Sequence, residues 1–85
     1  MRVLYSSGFR KEFSLLPIEI QELCKRQESI FRIDWRDSRL HAKKLKEHPI
    51  GHSFRITRRY RVLFIFVEED VALFSSIGHR KDVYD

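Results

Sequence analysis

Near the C-terminal end, two apolar stretches rich in aromatic and β-branched residues flank three consecutive acidic residues. Tyr60 to Val67 is the first stretch, Glu68, Glu69 and Asp70 form the polar break, and Val71 to Ile77 is the second. This pattern predicts a β-hairpin. Side chains alternate along a strand, so Tyr60, Val62, Phe64 and Phe66 share one face and Arg61, Leu63, Ile65 and Val67 the other. Both faces are apolar at their centre, as in a middle strand covered on both sides for part of its length. Arg61, at the strand's beginning, is expected where its face still meets solvent. Ser53 to Thr57 reads as the preceding strand, with Phe54 and Ile56 on one side and Arg55 and Thr57 on the other. A turn centred near Glu69 sets Arg61 opposite about Ile77, and His79 and Arg80 then emerge beside Arg61.

The first half follows a different period. Arg2 to Ser6 is short and apolar-rich and predicts a strand, and Ser7 is suited to cap a helix that follows. Phe9, Phe13 and Leu16 recur at helical spacing until Pro17, which suits the first turn of a second helix. There Ile20, Leu23, Cys24 and Gln27 share a face, with Glu19, Glu22, Lys25 and Arg26 outside it. From Arg32 to His52 periodicity is weak, with Leu40 to Lys46 readable as a helical turn or a short strand. The order is β-α-α-β-β-β. Short connections favour an α+β fold in which a helical hairpin packs on one face of an antiparallel β-meander. No repeat or linker divides residues 1–85, so one domain is expected.

Charge narrows the partners. Lys and Arg number 17 against 12 Asp and Glu, and the chain carries a net charge of +5. Lys43, Lys44, Lys46, Arg55, Arg58, Arg59 and Arg61 lie close together in sequence with only Glu47 against them, which favours a polyanionic partner. Cys24 is the single cysteine, so no intrachain disulfide forms, and its helical setting among apolar residues reads as a packed thiol. The opening residues lack the apolar core of a signal peptide, and the run Val62 to Val67 is too short to span a bilayer. A reduced, cytoplasmic protein without membrane association is the expectation.

Familiar catalytic motifs are missing. His41, His48, His52 and His79 do not fall at zinc-ligand spacing, the three glycines do not form a phosphate loop, and no nucleophile elbow is present. No metal and no cofactor is expected. RNA cleavage needs neither, because the 2′-hydroxyl of RNA itself attacks the adjacent phosphate. The protein need only align it, take its proton, neutralise the phosphorane and protonate the leaving 5′-oxygen. Guanidinium groups suit the phosphate, and histidine suits the proton. Arg55, Arg61, His79, Arg80 and Tyr84 are the candidates. Each alone is more often a solvated, turn or edge residue; their coincidence at one end of one hairpin is what singles them out.

Four segments in order carry a resemblance. They are Arg39-Leu40 with Lys44-Leu45-Lys46, Ser53-Phe54-Arg55-Ile56, Tyr60-Arg61-Val62-Leu63-Phe64, and Ile77-Gly78-His79-Arg80-Lys81-Asp82-Val83-Tyr84. With Leu15-Leu16-Pro17 and Ile20, the chain resembles the RelE/ParE toxin superfamily of type II toxin–antitoxin systems over nearly its whole length. The resemblance implies a cognate antitoxin partner in a hetero-oligomer. It also implies one of two activities: metal-free cleavage of mRNA at the ribosome, as in the RelE branch, or inhibition of DNA gyrase, as in the ParE branch. An inactive antitoxin-binding module is a third outcome. In the favoured RelE reading, Arg61 holds the scissile phosphate, Arg55 and Arg80 add charge, and His79 or Tyr84 moves protons. Lys43, Lys44, Lys46, Arg58 and Arg59 then bind messenger or ribosomal RNA. Where RelE carries a second lysine on the strand of Arg55, this chain has Thr57.

Overall fold

In the computed structural model, which describes residues 1–83, the chain runs through β1 (Arg2–Tyr5), α1 (Ser7–Ser14) and α2 (Ile18–Ile33). A single 3-10 turn at Ser38–Leu40 leads to β2 (Lys43–Lys44), β3 (Gly51–Arg55), β4 (Tyr60–Glu68), β5 (Val71–His79) and the short α3 (Arg80–Val83). The weakly periodic stretch thus holds both a helical turn and a short strand. The fold is α+β, and the five strands form one sheet ordered β1-β5-β4-β3-β2. The meander from β2 to β5 is antiparallel, whereas β1 lies parallel against β5, so the sheet is mixed.

The hairpin of β4 and β5 turns through Glu69 and Asp70, half a residue later than a centre at Glu69. Two bulges follow, with Val67 the extra residue on β4 and Ser75 the extra residue on β5, and their shifts cancel. Arg61 therefore pairs with Gly78, and Tyr60 with His79, one residue beyond the register expected from sequence.

Helix α2 lays Phe31 at the centre of the core. Its ring lies 5.3, 4.9 and 5.1 Å from those of Phe54, Phe64 and Phe74, and all four side chains are fully buried. Pro17 is the N-cap of α2, one position before the first turn assigned to it by pattern, and its carbonyl accepts from Ile20 and Gln21. Cys24 packs into the same core, where burial pushes its thiol up to about 12. A thiol-specific disulfide reagent is expected to leave Cys24 unmodified in the native protein and to titrate it at once in denaturant. Rapid native labelling would show that α2 is not seated as described.

Ser6, rather than Ser7, caps α1: its Oγ accepts from the Phe9 amide at 2.9 Å while its hydroxyl donates to the Ser75 carbonyl at 2.9 Å. The cap thus joins the helix to the sheet where β1 ends. Past that point α1 protects the open edge of β5, because the Glu12 carboxylate accepts from the Ser76 hydroxyl at 3.0 Å and the Ile77 amide at 3.3 Å. Glu12→Ala is expected to cost about 1–2 kcal/mol in urea unfolding, with Glu12→Gln, which keeps an acceptor, costing less. An unchanged midpoint for Glu12→Ala would mean that water satisfies this edge equally well.

Candidate functional site

The four-residue connection between β3 and β4 is built around two polar groups. The Thr57 hydroxyl accepts from the amides of Arg59 and Tyr60, both at 3.2 Å, as a threonine at the start of a turn commonly does. From the next strand, Nη1 of Arg61 donates to the carbonyls of Thr57 at 2.6 Å, Arg58 at 2.8 Å and Tyr60 at 3.3 Å. Arg61 is only 6% exposed, so its predicted solvent-facing position is corrected: it is a buried cation lying under the turn. The cause is the chain's reversal at 57–60, which turns three carbonyls toward the guanidinium and gives it acceptors in place of water.

Arg58 and Arg59 stand exposed on the outside of this turn. Arg55 is half-buried and pairs with Arg61 across the sheet, and Arg61 pairs in turn with Gly78. Arg55, Arg61 and Gly78 thus form one row, on the face opposite α1 and α2. The Arg80 amide donates to the Arg59 carbonyl at 2.6 Å, which docks the start of α3 on the same turn. Gly78 lies close under α3, since a Cβ there would be 3.3 Å from Cγ1 of Val83. Among the described residues Arg55, Arg58, Arg59 and Arg80 form no ion pair, so this corner concentrates positive charge.

His79 is placed differently. It pairs with Tyr60, whose side chain leaves the helix face, and the two rings lie 5.7 Å apart. Its Nδ1 accepts from the Lys81 amide at 3.2 Å. The imidazole and the Arg61 guanidinium therefore depart from opposite faces of the sheet end. Tyr84 lies outside the described residues.

Lys43 and Lys44 lie on the edge strand β2, paired with Ser53 and His52. Together with Lys46, His48 and Val83 they line a groove of about 290 Å³, so the basic edge continues toward α3. Sequence reading missed the part taken by Thr57, although Thr57-Arg58-Arg59-Tyr60 between two strands carries a turn signature. It also missed Ser53, a polar residue 1% exposed in the row next to Arg55.

No protein-family model matches the sequence, and no curated protein matches it. Solved structures do. A chain of the RelB–RelE antitoxin–toxin complex from Methanococcus jannaschii superposes with a TM-score of 0.77 at 25% identity, covering 96% of this chain and 95% of that one. This chain has the RelE/ParE toxin fold. A chain of the DinJ–YafQ complex from E. coli gives a TM-score of 0.81 at 11% identity, with both chains covered in full. The YoeB/ParE toxin from Agrobacterium tumefaciens gives 0.80 at 10% identity, covering 94% of this chain and 99% of that one. Within that fold, the row of Arg55, Arg61 and Gly78 lies at the end of the sheet where β4 and β5 meet α3, with the lysines on the edge strand β2 beside β3. Among the described residues no helix is long and apolar enough to cross a membrane.

Proposed function

We propose that this protein is the toxin of a type II toxin–antitoxin pair and an endoribonuclease that cleaves mRNA at the ribosome without a metal. The observation that carries this reading is the row of Arg55, Arg61 and Gly78, with Arg58, Arg59 and Arg80 held around one hydrogen-bonded turn, in a RelE/ParE fold. Such a corner matches a phosphodiester passing through a phosphorane. The substrate's 2′-hydroxyl loses its proton and attacks phosphorus, the bond to the 5′-oxygen breaks, and that oxygen takes up a proton. The products are a 2′,3′-cyclic phosphate and a free 5′-hydroxyl. Arg55 and Arg80 supply donors to the phosphoryl oxygens. Arg61 supplies buried positive charge behind them and holds the turn. Of the two proton carriers suggested by the sequence, His79 and Tyr84, His79 leaves the other face of the sheet, which favours Tyr84 for this role. The lysines of the β2 edge hold RNA through phosphate contacts that weaken with salt. The partner is an antitoxin that keeps the toxin inactive in a hetero-oligomer, and the site of action is the cytoplasm.

One observation favours a second reading. His79 leaves the face opposite Arg61, which suits a protein that binds a DNA topoisomerase and cleaves nothing. Inducing the chain in cells while following protein and DNA synthesis separates the two. The nuclease reading expects rapid loss of translation, with messages cut inside reading frames and ending in cyclic phosphates. Arg55→Ala or Arg80→Ala should each slow cutting about a hundredfold, the usual loss for one donor to a developing anion. Intact translation with arrested replication would instead assign the protein to the topoisomerase class.

A further inference from the structure

On the helix side of the sheet, away from the arginine row, four aromatic groups come together where α2 ends. The Trp35 indole lies 5.1 Å from the Phe66 ring, 5.8 Å from the His52 imidazole and 6.2 Å from Phe64. His52 stacks on Phe64 at 5.3 Å and meets Phe66 edge-on at 5.3 Å. Phe64 is fully buried, but Trp35, His52 and Phe66 are only half-buried. The cluster therefore opens to the surface.

Its border is cationic. The Arg36 guanidinium lies 5.0 Å from the Trp35 ring centroid, and Lys44, exposed on the edge strand, pairs with His52 and so shares its face. Of the carboxylates next to Trp35 in sequence, Asp34 accepts from the Arg36 amide at 3.0 Å, and Asp37 holds Arg39 through both oxygens. An indole face covered by a guanidinium is a face that a planar, electron-poor group can occupy. A guanidinium displaced from it is well suited to a phosphate.

We propose that Trp35, His52 and Phe66, bordered by Arg36 and Lys44, form a stacking site for an unpaired base of single-stranded RNA. It extends the RNA surface to the second face of the sheet. The inference rests on the RNA-binding reading, but it concerns binding and not cleavage. Aromatic platforms edged by cations hold single strands with little sequence preference, and a stacked base is commonly worth about tenfold or more in affinity. The bland alternative is that Trp35 merely closes the end of the core over Phe64, or docks a protein segment.

Trp35 is the only tryptophan, so its fluorescence reports on this site alone. The full chain would be titrated with a short 2′-O-methyl oligouridine, which cannot be cleaved by 2′-hydroxyl attack, and in parallel with polyphosphate, which has no bases. The proposal expects saturable quenching by the oligonucleotide, weakened by salt, and none by polyphosphate. It also expects Trp35→Leu to lower oligonucleotide affinity about tenfold, Trp35→Phe to retain most of it, and Arg36→Ala to weaken it without disturbing the fold. Three results would each overturn the site: equal quenching by polyphosphate, binding seen by anisotropy of a labelled oligonucleotide without a change at Trp35, or undiminished affinity of Trp35→Leu. Absence of binding would also overturn it. Failure of cleavage in cells with quenching retained would overturn the nuclease reading and leave the stacking site standing.

Discussion

Arg61→Ala is expected to lose toxicity and stability together. Removing the guanidinium leaves the carbonyls of Thr57 and Arg58 without this donor, while that of Tyr60 keeps the amides of Ile56 and Thr57. Hydrogen bonds from a charged donor contribute about 1.5–3 kcal/mol, and the site is nearly closed to replacement water, so about 2 kcal/mol should be lost in urea unfolding. The turn that presents Arg58 and Arg59 and receives the Arg80 amide loosens as a consequence. Arg55→Ala supplies the contrast. Arg55 is half-buried and its side chain makes no hydrogen bond or ion pair among the described residues, so its removal should shift stability by less than about 0.5 kcal/mol while still slowing cleavage. If Arg61→Ala unfolds like the parent and is inactive, Arg61 serves the substrate alone. If it is active, the arginine row is not the site.

Phe31→Ala should have the largest effect on the fold. The ring touches one phenylalanine from each of β3, β4 and β5, so it joins α2 to the three strands that carry the candidate site. Emptying a fully buried phenylalanine seat costs about 3–5 kcal/mol, against about 5–15 kcal/mol for the whole stability of a domain. A small domain belongs at the low end of that range, so the variant should be largely unfolded at physiological temperature. Phe31→Leu, which refills part of the seat, should remain folded with a lower urea midpoint. Both are read by circular dichroism through a urea series. A loss below about 1 kcal/mol for the alanine variant would mean that α2 is held by other contacts.

Features set by neighbouring residues were legible in the sequence. Alternation from Tyr60 to Val67, the acidic break and the second alternation specify a hairpin, because strand period and turn chemistry are local. Its register came within one residue, the bulges at Val67 and Ser75 cancelling each other. The two helices were legible from apolar spacing and Pro17. Clustering of cations was legible by inspection, and the resemblance in four short segments agrees with the RelE/ParE fold.

Tertiary structure decided what depends on residues far apart. That β1 lies parallel beside β5, and that Ser6 caps α1 while donating to Ser75, rest on a contact 69 residues distant in the chain. Burial of Arg61 depends on which way three turn carbonyls point, and alternation says only which face the side chain leaves. The meeting of Trp35 with His52 and Phe66 needs α2 to end over the sheet. Sequence period determines which side of its own element a residue occupies. Which other element covers that side is set by packing across the chain, because only a closed core can supply a buried cation or a ring with its partners.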